Sequence, residues 1–178
     1  MQTYLEIQVP LRTDARWFER LRTQLDSFPV RWQQGFHHIT IAFIEHTPEQ
    51  VDICRILDKY FKHLPAINIT FDKIDVFTAG RETQIIHLTS TQAPQSFLSL
   101  ADSIRRDLVS VGCKLQSGFK LHVTLGRVKS PDINQKTIFK QINDVAMPKI
   151  SLSLTDVDYR EYRGSGRVFY ETKLKNEE

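Results

Sequence analysis

The chain opens on alternation. In "TYLEIQV" Leu5, Ile7 and Val9 fall on one side of an extended backbone, and Tyr4, Glu6 and Gln8 on the other. That period of two predicts a half-buried strand, which Pro10 ends. Asp14 then stands as a cap for a helix over "ARWFERLRTQLDSF", where Trp17, Phe18, Leu21, Leu25 and Phe28 recur at helical spacing. A strand from His37 to Ile44 follows. Thr47-Pro48-Glu49 reads as a helix start with proline in the first helical position, and Val51, Cys54, Leu57, Tyr60 and Phe61 supply its apolar face up to Pro65. Two strands, "INITFDKIDVF" and "TQIIHLTS", flank a turn at Gly80.

The second half repeats this order. A helix over "PQSFLSLADSIRRDLVSVG" leads through Gly112 and Gly118 to a strand holding His122 and Thr124. Asp132 begins a short helix reaching Phe139 and Ile142, and "KISLSLTDVDYREY" and "RVFYETKLK" form a closing hairpin around Gly164-Ser165-Gly166. Hairpins outweigh crossover units, so the pattern predicts an α+β fold with antiparallel sheets and helices packed outside. No Pro/Ser/Gly-rich linker divides residues 1–178, which predicts one bilobal domain.

Two segments stand out within that pattern. "HHITIAFI" and "LHVTLGRV" each place a histidine and a threonine two residues apart in an apolar run, nearly half a chain from one another. Residues i and i+2 of a strand share a face. His38 therefore sits beside Thr40 with Ile39 and Ile41 behind, and His122 beside Thr124 with Val123 and Leu125 behind. Two such strands facing each other offer two imidazoles, able to give and take protons near neutrality, and two hydroxyls that can hold phosphate oxygens. In-line substitution at phosphorus needs a base and an acid on opposite sides, and no metal. By the same parity Lys120 falls on the His122 face. Strict alternation sends Arg127 to the other face, unless a strand end or a bulge turns it back or a structural ion pair takes it. His87-Leu88-Thr89 also fits the motif, but it breaks the half-chain spacing and is followed by Ser90 and Thr91, so His87 is expected to be structural or a bystander. His37 points away from His38.

Composition changes this picture little. Of 178 residues, 40% are hydrophobic and 25% charged, as in an ordinary globular protein. A net charge of +3 and a pI near 8.9 tolerate a phosphate-bearing ligand without implying a long nucleic acid, for which a basic stripe with interleaved aromatics is missing. No apolar run is long enough to span a bilayer. The opening residues lack a basic-then-apolar leader pattern, and Cys54 and Cys113, both in predicted helices, suit a reduced cytoplasmic protein. Neither motif has a second histidine or an acid on its own face, as a zinc site would, and no Gly-x-Ser-x-Gly turn supports a serine hydrolase.

The two tetrads, His38-Ile39-Thr40-Ile41 and His122-Val123-Thr124-Leu125, resemble the signatures of the two-histidine (2H) phosphoesterase superfamily. The branch they match best is that of RNA 2′,3′-cyclic phosphodiesterases, or 2′-5′ RNA ligase-like proteins. Phe43 after the first tetrad, Arg127 after the second and the closing hairpin with Tyr170 fit the same pattern. "VFTAGRETQIIHLT", where the family often has Phe-Pro, and Gly126 depart from it. The resemblance implies two antiparallel sheets with pseudo-two-fold symmetry around a central groove. It also implies metal- and cofactor-free opening of a 2′,3′-cyclic phosphate at an RNA end to a 2′-phosphate. His38 would be the acid, His122 the base, Thr40 and Thr124 phosphate ligands, and Lys120, Arg127 and Tyr170 substrate contacts. The expected partners are RNA termini or small nucleotides, handled by a monomer with no membrane involvement. The same four residues would also suit 2′-5′ oligoadenylates or cyclic oligonucleotides, and a non-catalytic RNA-end binding module is the rival of another class.

Overall fold

A computed structural model describes residues 1–116 and 118–175. The alternation at the start becomes strand β1 (Thr3–Val9), and helix α1 (Arg16–Gln24) buries Trp17, Phe18 and Leu21. Asp14 does not cap α1: its carboxylate pairs with the exposed Arg12 guanidinium at 3.0 Å, and Ala15 holds the cap position without a side-chain bond. After β2 (Arg31–Trp32) comes the first motif strand, β3 (His37–His46). Helix α2 (Ile53–Phe61) starts later than Thr47-Pro48-Glu49. Pro48 opens a turn closed by the Val51 N–H, while the Asp52 side chain caps the helix by accepting from the Arg55 N–H.

The segment read as one strand from Ile67 to Phe77 breaks at Asp72 into β4 (Ile67–Phe71) and β5 (Lys73–Ala79), and β6 (Thr83–Thr89) returns from a turn in which Gly80 takes φ +64°. Helix α3 (Gln95–Ser110) buries Phe97, Ala101, Ile104 and Leu108, and Cys113 lies just beyond its end rather than within it. Next come β7 (Lys114–Leu115), the second motif strand β8 (Val123–Lys129), and helix α4 (Gln135–Ile142), capped by Asn134 and not begun by Asp132. Strands β9 (Ile150–Leu154), β10 (Asp156–Glu161) and β11 (Val168–Lys173) complete the chain.

These strands form antiparallel sheets in the orders β11-β10-β1-β3-β7, β2-β8-β6-β5 and β4-β9. The element order β1-α1-β3-α2-β4-β5 recurs as β6-α3-β8-α4-β9-β10. Five pairings cross between the halves, among them β1 with β10 and β5 with β6. The short strand before each motif strand pairs with the other motif strand, β2 with β8 and β7 with β3, and β4 pairs with β9. The breaks at Asp72 and Thr155 serve that last pairing, since each frees one piece for the shared ribbon and one for a larger sheet. The apolar face of each sheet packs on helices: Leu5, Ile7, Ile39 and Ile41 from one, Ile86, Leu88, Val123 and Leu125 from the other. Both sheets leave their second face half-exposed, and the motif residues stand there.

Candidate active site

β3 and β8 lie against one another, so the two motifs meet. Parity holds as expected. Ile39 and Ile41, and Val123 and Leu125, are fully buried, while His38, Thr40, His122 and Thr124 are half-buried on the opposite face. His122 stands one residue before β8 proper.

Each motif strand then carries a bulge at the same place. In β3, Thr40 pairs with Glu6 but Ala42 pairs with Leu5, leaving Ile41 as an extra residue. In β8, Thr124 pairs with His87 but Gly126 pairs with Ile86, leaving Leu125 extra. An extra residue inverts the parity of everything after it. Ile41 and Ala42 are therefore both buried, as are Leu125 and Gly126, and the next residues, Phe43 and Arg127, return to the threonine face. This resolves where Arg127 goes: a bulge brings it back. The carbonyls of the two extra residues each find a donor, Ile41 in the Arg105 guanidinium of α3 at 3.1 Å and Leu125 in the Gln33 N–H of the β2 side at 2.8 Å. Gly126 is required by close approach of β2, since a Cβ there would sit 2.7 Å from Val30 Cγ1 and 3.0 Å from Trp32 Cε3.

The two imidazoles are held differently. His122 Nδ1 lies 2.8 Å from the Lys120 carbonyl, which can only accept, so Nδ1 carries the proton and Nε2 the lone pair. Burial lowers the proton affinity of His122. The bond to Lys120 opposes this, and the charges of Lys120 and Arg127 add to it. Burial takes His38 down to about 4, Arg127 and His122 pushing the same way against a bond to the Phe36 backbone. His38 Nδ1 also lies 3.3 Å from Glu6 Oε2. Arg127 thus acts on both histidines, and its Nη1 donates to Gln33 Oε1 at 3.0 Å.

His87 is not remote. It is fully buried, yet its ring centroid is 5.8 Å from that of His122, and Phe77 packs against both at 5.0 and 5.2 Å. Lys120 Nζ lies 4.5 Å above the same Phe77 ring. His87 is a wall residue behind His122, and Thr89 of its motif donates to the Leu121 carbonyl at 2.6 Å, pinning the approach to β8. On the His38 side the wall is aromatic. Tyr162 meets Phe43 edge-on at 4.7 Å, and Tyr4 lies 6.0 Å from both Tyr162 and His38. Tyr4 shares the exposed face of β1 with Glu6 and Gln8 by simple alternation, but the sequence carries no sign that Tyr162 would fold back to it.

Tyr170 is not brought to the site. It pairs with Tyr159, whose β1 partner is Leu5 on the helix-facing side, and its hydroxyl approaches Asp58 of α2 at 3.4 Å. Strand parity puts it behind the sheet. Two hollows of the surface, of about 670 and 700 Å³, lie along α2 and α3 and contain none of the motif residues. Among the described residues no three His, Cys, Asp or Glu side chains gather as a metal site would, and no helix is long and apolar enough to cross a membrane.

Known proteins share this architecture. The chain is similar over 98% of its length to 95% of Escherichia coli LigT complexed with 3′-AMP, with 20% identity and a TM-score of 0.61. It is similar over its whole length to all of TT0787 of Thermus thermophilus, with 17% identity and a TM-score of 0.62. It is also similar over 97% of its length to 98% of Kluyveromyces marxianus Usb1, with 9% identity and a TM-score of 0.66. At these identities the likeness establishes the fold. A search of curated protein sequences finds no match. Residues 10–166 match the family described as the 2′-5′ RNA ligase superfamily. With both His-x-Thr motifs on one half-exposed face and that match spanning most of the chain, the protein belongs to the 2′-5′ RNA ligase superfamily of two-histidine phosphoesterases, enzymes that act on phosphodiester bonds.

Proposed function

We propose that this protein is a metal-independent cyclic phosphodiesterase that opens the 2′,3′-cyclic phosphate at an RNA end to a 2′-phosphate. The observation that carries this reading is the matched pair of motif strands. Each offers an imidazole and a hydroxyl on one face, and each has a bulge that returns the following large side chain to that face. His122 acts as base through the free lone pair on Nε2, taking a proton from water as the water attacks phosphorus. His38 acts as acid, protonating the departing O3′. Thr40 and Thr124 donate to the non-bridging oxygens, and Arg127 and Lys120 offset their charge. Two imidazoles supply both proton transfers, so the step draws on no metal. LigT complexed with 3′-AMP and with phosphate, and Usb1 with uridine monophosphate, support a ligand of nucleotide size in this fold.

The test is a substrate comparison in EDTA. Nucleoside 2′,3′-cyclic phosphates, 2′-5′-linked oligonucleotides and cyclic dinucleotides are offered to the protein, and the product phosphate is located by phosphorus NMR. A nucleoside 2′-phosphate from the cyclic substrate at the highest kcat/KM supports the proposal. A 3′-phosphate product, or preference for a 2′-5′ or cyclic dinucleotide linkage, replaces the substrate. Binding without turnover of any of them would make the protein an RNA-end binding module.

A further inference from the structure

The strand beside each motif strand presents one buried ionisable side chain directly across from the motif threonine, and the two differ. His87 faces Thr124, whereas Glu6 faces Thr40. Glu6 is 5% exposed, its Oε2 has no hydrogen-bond partner, and that oxygen lies 3.3 Å from His38 Nδ1. Its other oxygen is 3.3 Å from Arg160 Nε, and Arg160 Nη2 is held at 2.9 Å by Asp158, itself 1% exposed and bonded by Gln8 Nε2 at 2.6 Å. A carboxyl buried this deeply with one oxygen unpaired is costly as an anion, so burial favours its protonated form. The Arg160 ion pair from β10 backs it, and its free oxygen lies beside Nδ1 of an imidazole half-buried on the motif face.

We propose that Glu6 is the positioning residue of His38, holding the ring and storing the proton that His38 delivers. The inference rests on the reading of His38 as the acid. Burial raises the Glu6 carboxyl to about 7, Arg160 pulling it back and Asp158 pushing it further, while His38 stands at about 4. Between those values the pair keeps one proton and no net charge. The charged and titratable groups facing it are Arg160 and Asp158 from β10, Tyr4 on β1, His37 on β3, and Arg127 and His122 from the second motif. When an anionic phosphate settles in front of the ring, the imidazolium form becomes favoured. The Glu6 Oε2–H bond breaks, an N–H bond forms at Nδ1, and the Nε2–H proton passes to the leaving oxygen as its bond to phosphorus opens. Glu6 ends as a carboxylate beside Arg160, and the pair recovers its proton from solvent after product leaves. His122 has no such reserve. Its neighbours Lys120, Arg127 and His87 are bases or cations, which suits a group that must begin the reaction unprotonated.

The experiment follows the His38 ring by NMR titration, in the wild-type protein and in Glu6→Gln. The wild-type ring should report two steps, one near neutrality as the pair takes its first proton and one well below. A single His38 step in the wild type overturns the proposal without any variant. In Glu6→Gln the near-neutral step should vanish, because the amide fills the space but holds no proton. With the cyclic substrate, the same variant should lose about tenfold to a hundredfold in kcat with KM little changed, and the alkaline limb of its pH profile should move to lower pH. An unchanged titration and pH profile in a folded Glu6→Gln overturns the proposal. The titration needs no substrate, so failure of the cyclic substrate would defeat the proposed activity and leave the Glu6 result standing on its own.

Discussion

At the scale of the residue, His87 shows how a fully buried imidazole links the site to stability. Its ordinary value of 6.5 falls to about 4, chiefly through burial. Between those values the unfolded chain binds a proton that the native protein does not. The contribution is intact above about pH 6.5 and is lost as pH falls toward 4, amounting to on the order of 3 kcal/mol. Urea denaturation at pH 7 and pH 5 should therefore show a larger loss in wild type than in His87→Phe, and equal losses would place the acid sensitivity elsewhere. Lys120 and Arg127 belong to the same scale. If they hold phosphate, Lys120→Ala and Arg127→Ala should each raise KM severalfold at low salt, with the effect shrinking as ionic strength rises. A KM unchanged in both variants and indifferent to salt would leave the threonines as the phosphate ligands.

The bulges decide what each motif strand presents. Alternation alone placed His38 with Thr40 and His122 with Thr124, and both pairs were legible because the period of two is unbroken from histidine to threonine. Arg127 was not legible, since a bulge leaves no mark in a hydrophobic pattern beyond two successive small or apolar residues, here Leu125 and Gly126. Gly126, a departure from the family pattern in sequence, is the residue that the close approach of Val30 and Trp32 demands. Gly126→Ala should force Val30 and Trp32 apart and lower stability by about 1–3 kcal/mol, the usual range for overpacking. Because the bulge aims Arg127, KM should rise with it. Thermal melts and KM check this together, and an unaltered melting temperature would show that β2 gives way freely. Helix starts were misplaced for a related reason. Thr47-Pro48 and Asp132 offer plausible cap chemistry, but Asp52 and Asn134 make the bonds because the apolar faces of α2 and α4 begin only after them.

Across the whole molecule, the repeat was visible as an order of elements and a spacing of motifs. What the sequence hid is how the halves hold each other. Strands of two residues, β2 and β7, carry no periodic signal, yet each crosses to the other motif strand. Tyr162 and Glu6 joined the site for the same reason, through register with distant strands. Tyr170 left it because its register partner, Tyr159, faces the helices. Turnover should also survive EDTA, since both of the proposed proton transfers belong to side chains. Activity abolished by chelation and restored by one divalent ion would move the chemistry to a metal.

In the proposed reaction two imidazoles divide one proton relay. That division is tested most directly by kcat for His38→Ala, His122→Ala and the double variant, measured in EDTA on the preferred phosphodiester with folding checked by melting temperature. Each single variant should lose about two to four orders of magnitude, and the double variant should be scarcely slower than either, because the two groups act as a unit. Near wild-type turnover in either folded single variant would contradict the relay.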